Sequence, residues 1–438
     1  MRTSHSGVRP AETPGPPATR RRWRIAALLG FGVLITYFDR VNLSVAHDAL
    51  RHDFAINDLT FGLLLGAYNW TYAALQMPVG AIIDRFGVRL VGRVAAFLWS
   101  LATFGGAAAP GITTLFGSRF LLGVGEAPTF PANAKAVGAW FPPNQRGFAT
   151  SLFDAAAKFS SAIGIPLFGL VLLRFGWRLC FAATGVLSAV YLVAYFFYYR
   201  EPQDDPHVNA QEWSLIHERD EDTRCEDDLE IPLKTLLRQP KVLGLAIGFG
   251  SYNYVFYLLL TWLPTYFSES LHIDLLHSFL YTGVPWLTAT VGDLLSGILV
   301  DRLVQRGWNG SRTRMAVLVA GTAFGLGIFG TAWSHSATQA VLWITISITG
   351  LSVAAPIGWS IPSLIAPPRS VGRVGGILNL SNQISGICAP IITGFIVFDL
   401  HSFPAAFAVA GAYLVLGICA YLFLLREVKM MRVPQAAR

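Results

Sequence analysis

Long apolar runs broken by short polar turns dominate the pattern of this chain. A helix that crosses the hydrocarbon core of a bilayer takes about 20 mostly apolar residues, and by that measure the sequence holds about twelve crossing segments. The first six run roughly Trp23–Val45, Leu59–Ile82, Leu90–Ala109, Thr113–Phe141, Gly147–Leu173 and Trp177–Tyr198. The second six run roughly Val242–Phe267, Phe279–Val300, Met315–Trp333, Ala337–Ile365, Val374–Phe398 and Phe403–Leu425. The pattern predicts an all-α integral membrane protein made of two six-helix bundles, residues 23–199 and 242–425.

What lies between and around the spans is polar. Residues 200–241 are packed with Asp and Glu and read as a cytoplasmic linker. Within it, Ile231, Leu233, Leu236 and Leu237 have the spacing of a short amphipathic helix lying on a membrane surface. Residues 1–22 form a Pro-rich, basic tail expected to be disordered, and 426–438 form a second tail. Arg20-Arg21-Arg22 before an apolar run imitates an export signal, but eleven further spans favour an uncleaved anchor. With both termini in the cytoplasm, Arg85, Arg89, Arg146, Arg302, Arg306, Arg312, Arg314, Arg369, Arg373, Arg426 and Lys429 all fall on the inner side. Only Arg51, Arg174 and Arg178 fall outside, which is the asymmetry expected of a multi-pass protein of the cell (inner) membrane.

Composition narrows the function classes. Of 438 residues, 53% are hydrophobic and 13% charged, about half the charge of a soluble domain. A soluble enzyme is excluded, and so are a single-span receptor and an outer-membrane barrel with its short alternating strands. Cys180, Cys225, Cys388 and Cys419 show no close pairing, and the nine histidines are scattered without metal-ligand spacing. No Walker-type phosphate loop is present. The expectation is therefore a protein that is not an enzyme, holds no metal or cofactor, binds no nucleic acid and works as a monomer.

The halves repeat. Gly80-Ala-Ile-Ile-Asp84-Arg85 closes the second span, and Gly297-Ile-Leu-Val-Asp301-Arg302 closes the eighth, about half the chain later. The stretch from Gly80 through Asp84, Arg85 and Gly87 to Arg89 resembles the loop 2–3 signature of the major facilitator superfamily, whose fold is two six-helix bundles related as parallel repeats. That resemblance implies a conformational latch made of Gly80, Asp84, Arg85, Arg89, Asp301 and Arg302. Gly80 would let a neighbouring helix approach closely, and Asp84 would accept from a facing helix N-terminus or from arginines.

Ionisable residues inside a span are expensive and mark functional sites. Asp39 and Arg40 lie deep in the first span; Arg119 and Glu126, seven residues apart, share nearly one face of the fourth. Two acids and two bases on one cavity cancel in charge. These residues sit in motifs that resemble the anion:cation symporters of the superfamily, the bacterial galactonate, glucarate and hexuronate carriers among them. The motifs are Tyr37-Phe-Asp39-Arg40-Val-Asn42, Tyr68-Asn-Trp-Thr-Tyr72 with Gln76-Met-Pro78, Arg119 through Glu126-Ala-Pro128, and Gly375-Gly376-Ile-Leu-Asn379 with Asn382.

The resemblance implies roles. Arg40 would grip the substrate carboxylate and Tyr72 would donate a hydroxyl. Glu126 would carry the coupling proton and Asp39 a second, each paired with arginine in some states, with Arg119 their partner. Asn379 or Asn382 would bond substrate hydroxyls, and Tyr252, Tyr254, Tyr257 and Trp359 would pack on the sugar. Plainer readings stand beside these: Asp39–Arg40 as a pair snorkelling to the interface, Arg119 as a helix–helix salt bridge, the tyrosines as packing, and the asparagines as bonds between helices.

One run departs from the family pattern. The fifth span reads Phe153-Asp154-Ala155-Ala156-Ala157-Lys158, without the polar contact usual near position 157, and Asp293 replaces a residue that is commonly small. Either the substrate differs from galactonate, or Lys158 supplies a second anion contact, or Lys158 and Asp293 form a gate pair between the bundles at the inner side. The function implied is proton-coupled import of an organic anion, a hexonate, hexarate or hexuronate, by alternating access. The alternatives are a drug/proton antiporter or a carrier of tartrate-, aromatic- or nicotinate-like acids.

Overall fold

The computed structural model describes residues 18–216, 231–334, 336–367 and 370–431, and among them every long element is a helix. The first bundle comprises α1 (Arg21–Val45), α2 (His47–Phe54), α3 (Asp58–Ala107), α4 (Ile112–Glu126), α5 (Thr129–Trp140), α6 (Pro143–Phe175) and α7 (Trp177–Tyr198). Two short helices, α8 (Ala210–Ile216) and α9 (Leu233–Leu236), lie in the connection. The second bundle comprises α10 (Pro240–Thr265), α11 (Leu275–Gln305), α12 (Gly310–Gly325), α13 (Ile328–Ala332), α14 (Ala337–Ser360), α15 (Pro362–Ile365), α16 (Val371–Leu400) and α17 (Phe403–Ala420). Ten helices among the described residues are long and apolar enough to cross a membrane.

Two helix breaks follow from single residues. Gly87, at φ +77° and ψ 160°, kinks α3 inside the Asp-Arg-Phe-Gly-Val-Arg turn, a conformation that a side chain resists. The rod between α4 and α5 breaks at Ala127–Pro128, one residue past Glu126. Proline has no N–H and frees the carbonyl four residues earlier. Pro131 thereby frees the carbonyl of Ala127, and the Gln76 amide donates to it at 3.3 Å. Pro390 frees that of Gly386, and Asn69 of the opposite bundle donates to it at 2.8 Å.

The connection is tied to the first helix. Helix α1 starts at Arg21, two residues earlier than the sequence pattern suggests, because Arg21 pairs with Asp205 at 2.9 Å and Arg22 with Glu212 at 3.1 Å. Glu212 also accepts both backbone N–H groups of Arg21 and Arg22, which satisfies two of the orphan donors of the helix start. The expected surface helix is only α9, and it packs on protein. Ile231 and Leu236 are buried, Ile231 N–H donates to Ser370 and Arg373 donates to the Ile231 carbonyl. Most of the basic tail, 1–17, lies outside the described residues, as do 217–230 with Cys225, Arg369, and 432–438 of the second tail.

The bundles meet along α3–α16, α6–α11 and α1–α10, and they do so unevenly. Away from the termini the approach is tight. A Cβ added at Gly62 would stand 2.6 Å from the Pro390 carbonyl oxygen, one at Gly394 would stand 2.6 Å from that of Asp58, and one at Gly283 would stand 2.8 Å from that of Ala162. At the end that bears the termini, Gly80, Gly138, Gly372 and Gly376 are exposed, and a Cβ there would meet nothing within 4 Å. The molecule is thus closed at one end and parted at the other. The close helix approach expected at Gly80 is absent for that reason.

Candidate functional site

Helices α1 and α4 bring the four intramembrane charges together. Arg40 Nη2 donates to Glu126 Oε2 at 2.8 Å and Arg40 Nε to the same oxygen at 3.3 Å. Arg40 is 8% exposed and Glu126 is fully buried. The guanidinium also lies over three rings, 4.3 Å from the centroid of Tyr37, 4.8 Å from Tyr68 and 5.9 Å from Tyr72. In a dehydrated setting such cation–π contacts reach about 2 kcal/mol. The cation is therefore held by an aromatic box even when its carboxylate partner leaves.

The second pair is crossed over the first. Arg119 Nη1 donates to the backbone carbonyl of Asp39 at 2.9 Å and lies 4.7 Å from the Phe181 ring centroid. The Asp39 carboxylate accepts instead from Thr103 Oγ1 at 2.8 Å. Asp39 Oδ2, Glu126 Oε1 and Arg119 Nε are buried without a partner. Buried polar atoms in native proteins are almost always satisfied. Three unpartnered atoms thus surround one charge-balanced cluster. Between this cluster and the closed end lies a cavity with room for about one water, lined by Arg40, Tyr68, Arg119, Tyr257 and Thr261.

Across the seam, the second bundle supplies hydroxyls and amides. Tyr257 and Tyr68 join through their hydroxyls at 3.1 Å. Asn379 Nδ2 donates to Gln76 Oε1 at 2.7 Å, and Asn379 Oδ1 accepts from Gln383 at 3.4 Å. This extends the Ala127–Gln76 contact into a chain crossing both bundles. Asn382 is committed within its own bundle, accepting from Asn253 at 2.7 Å. Tyr254, one turn before Tyr257 on α10, packs against Tyr413 of its own bundle. Trp359 is 42% exposed, edge-on to Phe249 at the parted end.

Lys158 and Asp293 meet. Lys158 Nζ lies 2.5 Å from Asp293 Oδ2 and 2.8 Å from Asp154 Oδ2, one helical turn earlier on α6. The pair links the bundles while the end bearing the termini stands open. The sequence suggests this pair as a gate at the inner side; in the conformation described its two members join α6 to α11 across the bundles. Of the latch, Arg85 is exposed and lies 5.3 Å from the Phe86 ring centroid, Arg302 is exposed, and Arg89 is half-buried. The side chains of Asp84 and Asp301 lie outside the described residues.

Sequence reasoning missed a polar knot at the closed end. Arg51 Nη1 lies 2.7 Å from Glu269 Oε1 and 3.2 Å from Asp58 Oδ1. His47 donates to or accepts from Asp48 at 2.8 Å and Asp58 at 3.2 Å, stacked edge-on against Phe61 and Trp262. Burial alone would lower the His47 pKa, but the Asp48 and Asp58 hydrogen bonds and the Asp48 and Glu269 charges hold it above the usual imidazole range. Nothing in the spacing of these residues points across to Glu269, which joins only through the bundle contact. Asp154 is legible as the i−4 partner of Lys158, although the sequence pattern alone implies no role for it.

Comparison with known proteins gives the site its family. Residues 29–390 match the model of the Major Facilitator Superfamily. The chain is 38% identical over 416 residues to the uncharacterized transporter YybO of Bacillus subtilis strain 168, covering 93% of this chain and 95% of that one. It is 30% identical over 431 residues to the probable galactarate/D-glucarate transporter GarP of Escherichia coli K12, covering 94% and 97%. A bacterial homolog of the human lysosomal transporter Spinster, solved inward-facing and occupied, superposes with a TM-score of 0.72 at 16% identity over 93% of this chain and 97% of that one. A multi-pass helical fold, a buried charge cluster between two bundles and a family match over most of the length lead to one conclusion: the chain is a transporter belonging to the Major Facilitator Superfamily.

Proposed function

We propose that this protein imports an organic anion, a hexonate, hexarate or hexuronate, by proton symport through rocker-switch alternating access. The reading takes α3 as two spans and α4 with α5 as one, giving twelve spans with both termini in the cytoplasm of a cell whose inner membrane holds the protein. The conformation described is then the inward-open one. The observation that carries the proposal is the buried Arg40–Glu126 pair with its spare carboxylate oxygen. A charge-assisted bond between arginine and a carboxylate is available to a substrate acid only if Glu126 yields it.

The mechanism follows from that competition. With Glu126 charged, Arg40 is occupied and the cluster is neutral. An arriving carboxylate displaces Glu126 from Arg40, and burial without a partner then favours the protonated acid. Substrate and proton are tolerated together, while either alone leaves an uncompensated charge. Asp39 is the second carrier, with Arg119 its counter-charge. Tyr72 and Tyr257 donate hydroxyls, Asn379 exchanges its Gln76 bond for a substrate hydroxyl, and Lys158 offers a second anion contact. Asn382 orients Asn253, Trp359 flanks the entrance, and Gly80, Asp84, Arg85, Arg89, Asp301 and Arg302 form the inner latch once that end closes.

Electrostatics sets the direction. Moving one negative charge against an inside-negative potential costs about 2.3 kcal/mol per 100 mV. One proton cancels that cost for a monoanion and a second makes uptake electrically favourable. The test is a panel of labelled organic acids offered to proteoliposomes under an imposed pH gradient. Accumulation of sugar acids that collapses with an uncoupler supports the reading; accumulation of lipophilic cations, or of sugar acids without regard to the gradient, overturns it.

A further inference from the structure

The charge cluster of α1 and α4 sums to zero, but the group on α6 and α11 does not. Asp154 and Asp293 both bond the single ammonium of Lys158, which leaves one negative charge in excess. Lys158 and Asp293 are nearly sealed from solvent, with side chains 3% and 2% exposed, whereas Asp154 is 22% exposed. Asp293 Oδ1 is buried and has no partner, while Asp293 Oδ2 and Asp154 Oδ2 crowd onto the same ammonium at 2.5 and 2.8 Å. Among the described residues, Tyr252 of α10 and Tyr37 of α1 lie within electrostatic reach of the trio, and neither offers a compensating charge.

Two carboxylates crowded together do not both ionise readily. A proton between them satisfies the orphan oxygen, removes the repulsion and brings the trio to neutrality in one step. We propose that Asp154, Lys158 and Asp293 form a further proton-binding site at the seam between the bundles, holding one proton shared by the two aspartates. Asp154 and Lys158 ride on α6, and Asp293 rides on α11. In the conformation described, the site reaches the open end through the part-exposed Asp154. When the bundles rock, α11 carries Asp293 away from α6, leaving Asp154–Lys158 as a neutral pair and presenting Asp293 to the opposite face. Opposite faces thus load and unload the same carboxylate, which adds one proton to each cycle. Tyr37, which stacks on Arg40 and lies within electrostatic reach of Lys158, joins this site to the substrate cluster.

The inference rests on the symport reading for its transport consequence, and the experiment separates the two. Proton-to-substrate ratios are measured on the full chain in proteoliposomes from the balance of pH gradient against accumulation, using the acid with the largest uptake in the panel. Asp293→Asn and Asp154→Asn each leave a neutral acid–lysine pair. Both are expected to transport with one proton fewer, so that the accumulation limit falls about tenfold per pH unit of gradient. An unchanged ratio in a transporting variant overturns the site. Infrared difference spectra of the purified protein, titrated between about pH 5 and pH 9, need no transport. A protonated-acid carbonyl band that survives Glu126→Gln and vanishes in Asp293→Asn supports the site; a band unchanged in Asp293→Asn refutes it. Gradient-independent uptake together with that band loss sinks the symport reading and leaves the site standing.

Discussion

Replacing Glu126 by Gln isolates the competition on which coupling depends. Glu126 Oε2 receives two N–H groups of Arg40 in a fully buried setting, and a hydrogen bond to a charged group is worth about 1.5–3 kcal/mol. An amide oxygen in the same place is about half as strong an acceptor. A substrate carboxylate therefore displaces it with about 1–2 kcal/mol less opposition, which is about 5- to 30-fold in affinity. Breaking a buried pair from one side costs about 3–5 kcal/mol of stability. The Tyr37, Tyr68 and Tyr72 rings offset part of this, and a bound carboxylate restores more. Glu126→Gln is expected to melt earlier than the parent when empty and to gain more from substrate. It should bind with an affinity that varies less with pH than the parent's, and it should catalyse counterflow while failing to accumulate substrate under a pH gradient. Retained accumulation would falsify the role of Glu126. Loss of counterflow in a folded variant would show that Glu126 is needed for movement and not for coupling.

Further outcomes follow from the closed end. His47 is held protonated above its ordinary range, so its contribution to the knot is fully present below about pH 6.5. It is lost as pH rises through the folded value, with Asp48, Arg51, Asp58, Glu269 and His401 the charged groups in reach. Melting temperature in detergent should decline with rising pH in the parent and stay flat over that window in His47→Gln; identical profiles would remove His47 from the closure. Gly62→Val puts a side chain where a Cβ would already stand 2.6 Å from the Pro390 carbonyl oxygen. It should prevent closure of that end, abolish transport and leave residues there open to thiol labelling, whereas normal transport would show that the bundles do not meet so closely in the working cycle.

The sequence carried the helices and the charged cluster because both depend on residue type at known depth. Apolar runs of bilayer length need no tertiary information, and an Asp, Arg or Glu inside one is costly enough to mean something wherever it falls. What it could not carry was orientation. Asn379 and Asn382 lie three residues apart on one helix, yet one reaches Gln76 across the seam and the other Asn253 within its bundle. Tyr254 and Tyr257 part in the same way. Which face of α10 or α16 looks into the passage is set by packing on both bundles, and a span that is apolar all round carries no polar stripe to reveal it. The knot of His47, Arg51, Asp58 and Glu269 was invisible for a related reason, since Glu269 reaches the other three only across the bundles and each alone reads as a loop charge.

The prolines explain why the seam can be both polar and mobile. A carbonyl freed by proline inside the bilayer must find a donor or bear a penalty of several kcal/mol. Here two of them, at Ala127 and Gly386, take theirs from Gln76 and Asn69 of α3. One of these bonds lies within a bundle and the other between bundles, close to the Gln76–Asn379 contact. When the bundles rock, the Asn69–Gly386 bond has to break while the Gln76–Ala127 bond can persist. The closed state is thus favoured by a bond whose loss exposes a buried carbonyl, and water or a substrate hydroxyl entering the passage is what can replace it. A polar ligand arriving at this seam therefore lowers the cost of parting it, which a rigid apolar interface of the same area would not allow.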